Sequence, residues 1–157
     1  MNVSMYTDGA SRGNPGPGGY GVVLISQGLR KELSKGYRLT TNNRMELMAV
    51  IAGLEAMKRN DLDITVYTDS KYVADAVEKG WVFAWAKKGF QGKKNPDLWR
   101  RFLLLYRKFS VKFVWLRGHA GHPENEYCDW LATSAADGKE LLTDEGYEQG
   151  SAREELL

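Results

Sequence analysis

The sequence predicts an α/β fold built on a mixed sheet, and three observations point to it. Three β-type runs separated by turn formers open the chain. A further β-branched run is reached only through a helix. The triplet Tyr-Thr-Asp closes two distant runs, at Tyr6-Thr7-Asp8 and Tyr67-Thr68-Asp69. The first three runs suit an antiparallel meander. A strand entered from a helix suits a right-handed crossover that lays it parallel to the first. The 157 residues are enough for one domain with a real core.

Residues 3–7 read as the first strand, followed by turn formers from Gly9 to Gly19. Residues 20–25 form an apolar strand. Gln27-Gly28 is a tight turn, and 30–39 is a third, alternating strand. Thr41-Asn42-Asn43 signals a helix start, and the helix over 44–58 is apolar on so broad a surface that it must be largely buried. Asn60-Asp61 breaks it before a strand over 64–68. Two short helices over 70–78 and 80–86 precede a basic loop over 87–96. An amphipathic helix over 97–108 leads to the last strand, 111–116. After a Gly- and His-rich loop, Pro123 suits the first turn of a helix ending near Asp137. Residues 138–157 are acidic and poor in core formers, and read as a tail, disordered in part.

The charge distribution says more than the net charge of +2. From Lys79 to Arg117 the only acid is Asp97, whereas acids dominate from Asp137 onward. A basic middle suits a polyanionic partner, and equally a solvated basic face. Cys128 is the single cysteine, so no internal disulfide forms, in keeping with a reducing compartment. No run approaches the roughly 20 apolar residues of a membrane span, and the N-terminus lacks signal-peptide features. Cytoplasm is the expected compartment, with no membrane partner.

Ligands in α/β sheets bind beyond the carboxyl ends of strands. Parallel neighbouring strands would therefore aim Asp8 and Asp69 into one crevice, where their repulsion calls for a cation. Each is otherwise a turn or N-cap aspartate. Glu46 lies among apolar helix positions, where a charge needs pairing or metal; alternatively it forms a capping box with Asn43. Asp129 is a fourth candidate, or part of an exposed face with Glu126. Four hard-oxygen donors suit Mg²⁺, or Mn²⁺ in its place, and their number suggests two ions. Such ions, about 3.5–4 Å apart, serve phosphoryl displacement. His119 and His122 form either an idle surface loop, a weak zinc site with Cys128, or a proton carrier. Trp81, Trp85, Lys87, Lys88, Phe90, Lys93 and Lys94 interleave aromatics with charge, as single-strand grips do; core tryptophans and solvated lysines are the alternative.

Several motifs run in unbroken order from Met1 to about Ala136: Thr7-Asp8-Gly9, Gly13-Asn14-Pro15-Gly16-Pro17-Gly18-Gly19, Thr41-Asn42-Asn43-Arg44-Met45-Glu46-Leu47, Thr68-Asp69-Ser70 and Gly118-His119-Ala120-Gly121-His122-Pro123-Glu124-Asn125-Glu126 with Cys128-Asp129. Together they resemble bacterial ribonuclease HI, of the type 1 ribonuclease H family. The resemblance implies a ribonuclease H-like α/β fold, with a five-stranded mixed sheet flanked by helices, over a catalytic domain of residues 1–137. It implies endonucleolytic cleavage of the RNA strand of RNA–DNA hybrids, leaving 5′-phosphate and 3′-hydroxyl ends; a monomer is the default expectation. By that similarity Asp8, Glu46, Asp69 and Asp129 are the metal-binding carboxylates, and His119 assists proton transfer or product release. Asn14 and Asn42 match hybrid contacts, Thr41 and Asn95 match holders of a DNA phosphate, and Trp81, Trp85 and the following lysines resemble a basic protrusion. The chain departs from the pattern at Leu39, Ala86 and Phe90, all on the binding side.

Overall fold

The computed structural model describes residues 1–118 and 121–156, with side chains described as far as residue 150. Six strands form one sheet in the order β5-β4-β1-β2-β3-β6. The first three are β1 (Asn2–Ser11), β2 (Gly16–Ser26) and β3 (Leu29–Thr40), and they make the expected meander. Gln27 and Gly28 both take positive φ, 51° and 78°, the backbone of a two-residue hairpin turn whose twist matches its strands. The parallel strands are β4 (Asp63–Thr68) beside β1, and β5 (Ser110–Trp115) beside β4.

Helix α1 (Asn42–Glu55) supplies the crossover from β3 to β4 and is buried along most of its length. Met45, Leu47, Val50, Ile51 and Leu54 enter the main core with Met5, Val22, Ile64 and Val66. The same core takes in residues of α2 (Lys71–Glu78), α3 (Trp81–Lys87) and α4 (Pro96–Tyr106). Trp99 and Phe102 of α4 are fully buried there, with their rings edge to face. Helix α5 (Pro123–Ala136) covers the opposite face of β1, β2 and β3. Among the described residues, no helix is long and apolar enough to cross a membrane.

Several boundaries change: β2 starts at Gly16 rather than at residue 20, and α1 spans Asn42–Glu55 rather than 44–58. The first strand does not stop at Asp8; it continues to Ser11, because its antiparallel pairing with β2 persists after its parallel pairing with β4 has ended. Residues beyond 137 also do more than the acidic composition suggests. They add a sixth strand, β6 (Leu141–Leu142), parallel to β3, and a helix, α6 (Glu145–Leu156). Their anchor is polar: Asp144 is buried and held by Thr40 and Arg44, an arrangement that apolar patterning does not reveal.

Glycines on β2 let α5 lie close to the sheet. A Cβ on Gly21, the partner of Asp8, would stand 2.3 Å from the Cys128 carbonyl oxygen and 2.7 Å from Leu131 Cβ. Gly21→Ala should therefore push the helix away and lower stability by about 1–3 kcal/mol. A urea melt with an unchanged midpoint would contradict this packing.

Candidate active site

The site begins where two parallel strands part. Their last paired residues are Tyr6 and Tyr67, whose rings stack with centroids 4.7 Å apart. Two residues beyond that last pair come Asp8 and Asp69. Glu46 arrives from α1. Carboxylate oxygens of Asp8, Glu46 and Asp69 lie within 4.8 Å of one another.

Backbone placement explains the convergence. A Cβ on Gly9 would lie 2.3 Å from the Glu46 nitrogen, so only a glycine lets α1 rest this closely on β1. The Gly9 N–H then donates to Asp8 Oδ1 at 3.0 Å and also to Glu46 Oε1. One peptide group thus orients two acids. Asp69 is fixed from the other side: the Trp115 indole donates to its carbonyl at 3.1 Å, and Leu116 N–H donates to the Thr68 carbonyl at 2.7 Å. Asp129, on α5, lies close enough to Asp8 to shift its ionisation.

The capping-box alternative for Glu46 fails. The N-cap of α1 is Thr41, whose hydroxyl accepts from Arg44 N–H at 3.3 Å, and Glu46 points to Gly9 instead. The zinc alternative loses its sulfur, because the buried Cys128 Sγ donates to the Tyr6 carbonyl at 3.3 Å. His119 lies outside the described residues, and His122 is the residue preceding the first turn of α5.

Electrostatics set the cluster's character. Burial pushes the Asp8 carboxyl up to about 7; the Glu46 hydrogen bond pulls it down, while Asp69 and Asp129 push it up further. Glu46 is held well above its usual range, first by burial and then by Asp8. Asp8 Oδ2 is buried with no hydrogen-bond partner among the described residues. A buried carboxylate oxygen without a partner, on a residue whose carboxylate groups with two further acids, fits a hard divalent cation, which takes such oxygens as ligands.

The residues expected to contact nucleic acid lie on several elements. Asn14 Oδ1 accepts from Asn42 N–H at 3.0 Å, which ties the glycine-rich loop to the start of α1. Asn95 precedes α4 with a left-handed backbone. Its amide is held by Arg44, which donates to Oδ1 at 3.3 Å, and by the Tyr72 hydroxyl, which accepts from Nδ2 at 3.0 Å. Trp81 is exposed with the Lys79 ammonium 5.2 Å from its ring centroid; Trp85 is half-buried with Lys93 over it at the same distance. Lys87, Lys88, Lys93 and Lys94 are all exposed. Phe90 is buried, so at that position the ring serves the core. Arg38, next to Leu39, is engaged by Glu148 of α6 at 2.8–2.9 Å. Sequence reasoning passed over Asn125, which is fully buried and donates to the Thr7 carbonyl at 3.5 Å, pinning α5 beside Asp8. It also passed over Tyr72, whose neighbours in sequence give no hint of the amide it holds.

The family model described as RNase H matches residues 1–137. A ribonuclease H of Desulforamulus reducens is 58% identical over 139 residues, covering 85% of this chain and 87% of the relative. One of Rippkaea orientalis is 54% identical over 151 residues, covering 93% and 92%. Among solved structures, LC9-RNase H1, a type 1 RNase H with the type 2 active-site motif, superposes with a TM-score of 0.79 at 35% identity, covering 96% of this chain and 81% of that one. LC11-RNase H1 in complex with RNA/DNA hybrid gives 0.66 at 28% identity, covering 86% and 96%. The chain belongs to the RNase H family and is an enzyme of the ribonuclease H type. Enzymes of this family hydrolyse RNA in RNA–DNA hybrids and depend on metal.

The raised acids carry a pH dependence. In the unfolded chain both ionise near pH 4. Between roughly pH 4 and 7 the folded, metal-free protein therefore binds more protons than the unfolded chain, and its stability falls as pH rises through that window. In chelator, urea melts should give lower stability at pH 7.5 than at pH 5. Asp8→Asn should recover about 1–3 kcal/mol at pH 7.5. Equal stability of parent and variant at pH 7.5 would contradict the crowding of these acids.

Proposed function

We propose that this chain cleaves the RNA strand of RNA–DNA hybrids endonucleolytically, with two divalent ions, Mg²⁺ or Mn²⁺, held by Asp8, Glu46, Asp69 and Asp129. The observation that carries the reading is the convergence of three acids, Asp8, Glu46 and Asp69, with a buried Asp8 oxygen left without a hydrogen-bond partner. When bound, such ions supply Lewis acidity: a lower pKa for an attacking water and compensation of charge on the leaving 3′-oxygen. The products then carry 5′-phosphate and 3′-hydroxyl ends.

The chain's own groups do the positioning. The Gly9 N–H holds Asp8 and Glu46 in register, so neither carboxylate needs to reorganise when substrate arrives. Asn14 and Asn42, joined by a hydrogen bond, present amides where the hybrid's minor groove and its 2′-hydroxyls distinguish RNA from DNA. Thr41 and Asn95 hold a phosphate of the DNA strand. Trp81, Trp85, Lys87, Lys88, Lys93 and Lys94 grip that strand further along, through stacking and charge. His119 moves a proton between the reacting phosphate and solvent. The lone, reduced Cys128 is in keeping with action in the cytoplasm, as a monomer that should sediment as one species of monomer mass.

A labelled hybrid should be cut with Mg²⁺ and spared with EDTA, while duplex DNA and duplex RNA stay intact. Asp8→Asn should lower the cleavage rate by about a thousandfold or more, with native circular dichroism retained. Near-parental cleavage by the folded variant, or equal cutting of duplex DNA, would contradict the reading.

A further inference from the structure

We propose that Asp144 is a positioning residue for hybrid binding, acting through Arg44 on Asn95; this rests on the function proposed above. Asp144 lies between β6 and α6, beyond the stretch matched by the RNase H family model. Its side chain and that of Arg44 are each only 3% exposed. Arg44 Nε and Nη2 donate to the two Asp144 oxygens at 2.8 and 2.9 Å. Nη1 and Nη2 also donate to Asp97 at 2.9 and 2.7 Å, and Nη1 reaches Asn95 Oδ1. The first turn of α6 closes over this group: a Cβ on Gly146 would stand 2.0 Å from Asp97 Oδ2 and 2.9 Å from Arg44 Nη2.

A buried ion pair seldom adds stability over apolar packing of the same volume. Its geometry here has a specific consequence. Fixing the guanidinium fixes Asn95 Oδ1 toward Arg44 and Nδ2 toward Tyr72, whose hydroxyl is itself pinned by the Trp99 indole at 2.9 Å. One Nδ2 hydrogen then remains for a phosphate oxygen. The same Asp144 carboxylate accepts from the Thr40 hydroxyl at 2.7 Å, one residue before Thr41. The Asn95 side chain is thus tied through Arg44 to one carboxylate in the C-terminal segment, which also holds the residue before Thr41. With an amide in place of the carboxylate, at most one of the two bonds from Arg44 can form, and the donor that orients Asn95 Oδ1 is loosened.

Binding of an RNA–DNA hybrid in EDTA, followed by fluorescence anisotropy, separates this role from catalysis. Asp144→Asn and Asn95→Ala should each weaken binding about three- to tenfold, and the double variant no further than the worse single one. Parental affinity in folded Asp144→Asn would overturn the proposal. So would penalties that multiply in the double variant, the result expected if Asp144 acts independently of Asn95. Should Asp144→Asn fail to fold, Asp97→Asn loosens the same guanidinium from α4 and enters the same cycle with Asn95→Ala, judged by the same two outcomes. A parent chain that cleaves hybrids while the cycle fails removes this proposal alone; a parent that neither binds nor cleaves hybrids removes the functional reading as well.

Discussion

Mutual repulsion among Asp8, Glu46 and Asp69 is the constraint around which the fold is arranged. Carboxylates this close, two of them buried, do not settle together of their own accord. Something must force them, and the surrounding backbone does so. Parallel strands deliver two acids to one end of the sheet, and a helix seated on a glycine delivers the third. The cost is a metal-free state that holds a proton between Asp8 and Glu46 at neutral pH. A divalent cation relieves that cost, so affinity for metal and strain in its absence are one property.

Helix α1 joins chemistry to grip. Its N-cap residue, Thr41, and its first residue, Asn42, face the proposed phosphate and hybrid contacts, whereas Glu46 turns to the acids one turn later. Arg44, between them, turns back into a buried polar knot with α4 and the C-terminal segment. The helix therefore sets the distance between the cleavage centre and the strand-holding groups. Its burial on nearly every side keeps that distance fixed.

Much of this was legible in residue order, for physical reasons. The Gln27-Gly28 turn, the β-branched strand 64–68 and the doubled Tyr-Thr-Asp all carry local signals that tertiary packing did not override. The end of β1 was not legible, because its last residues pair with glycines on β2 and present no alternating pattern. The N-cap of α1 fell one or two residues early, since Thr41, Asn42 and Asn43 are all competent caps and only the loop at Asn14 decides among them. The order of the C-terminal segment was hidden most deeply. Its attachment is a buried ion pair and a two-residue strand, Leu141–Leu142; the ion pair leaves no hydrophobic trace, and two leucines are too short a run to carry a period. Asn125 and Tyr72 share that obscurity: their partners are a backbone carbonyl and an amide far away in sequence.

Crowded as they are, the carboxylates should bind a cation. Calorimetric titration of Mg²⁺ or Mn²⁺ into chelator-stripped protein at pH 7 tests it directly. The account predicts binding accompanied by proton release, seen as heats that vary with the ionisation enthalpy of the buffer, because the cation displaces the proton shared by Asp8 and Glu46. Absence of binding, or binding of the same strength and proton count in Asp8→Asn, would contradict it.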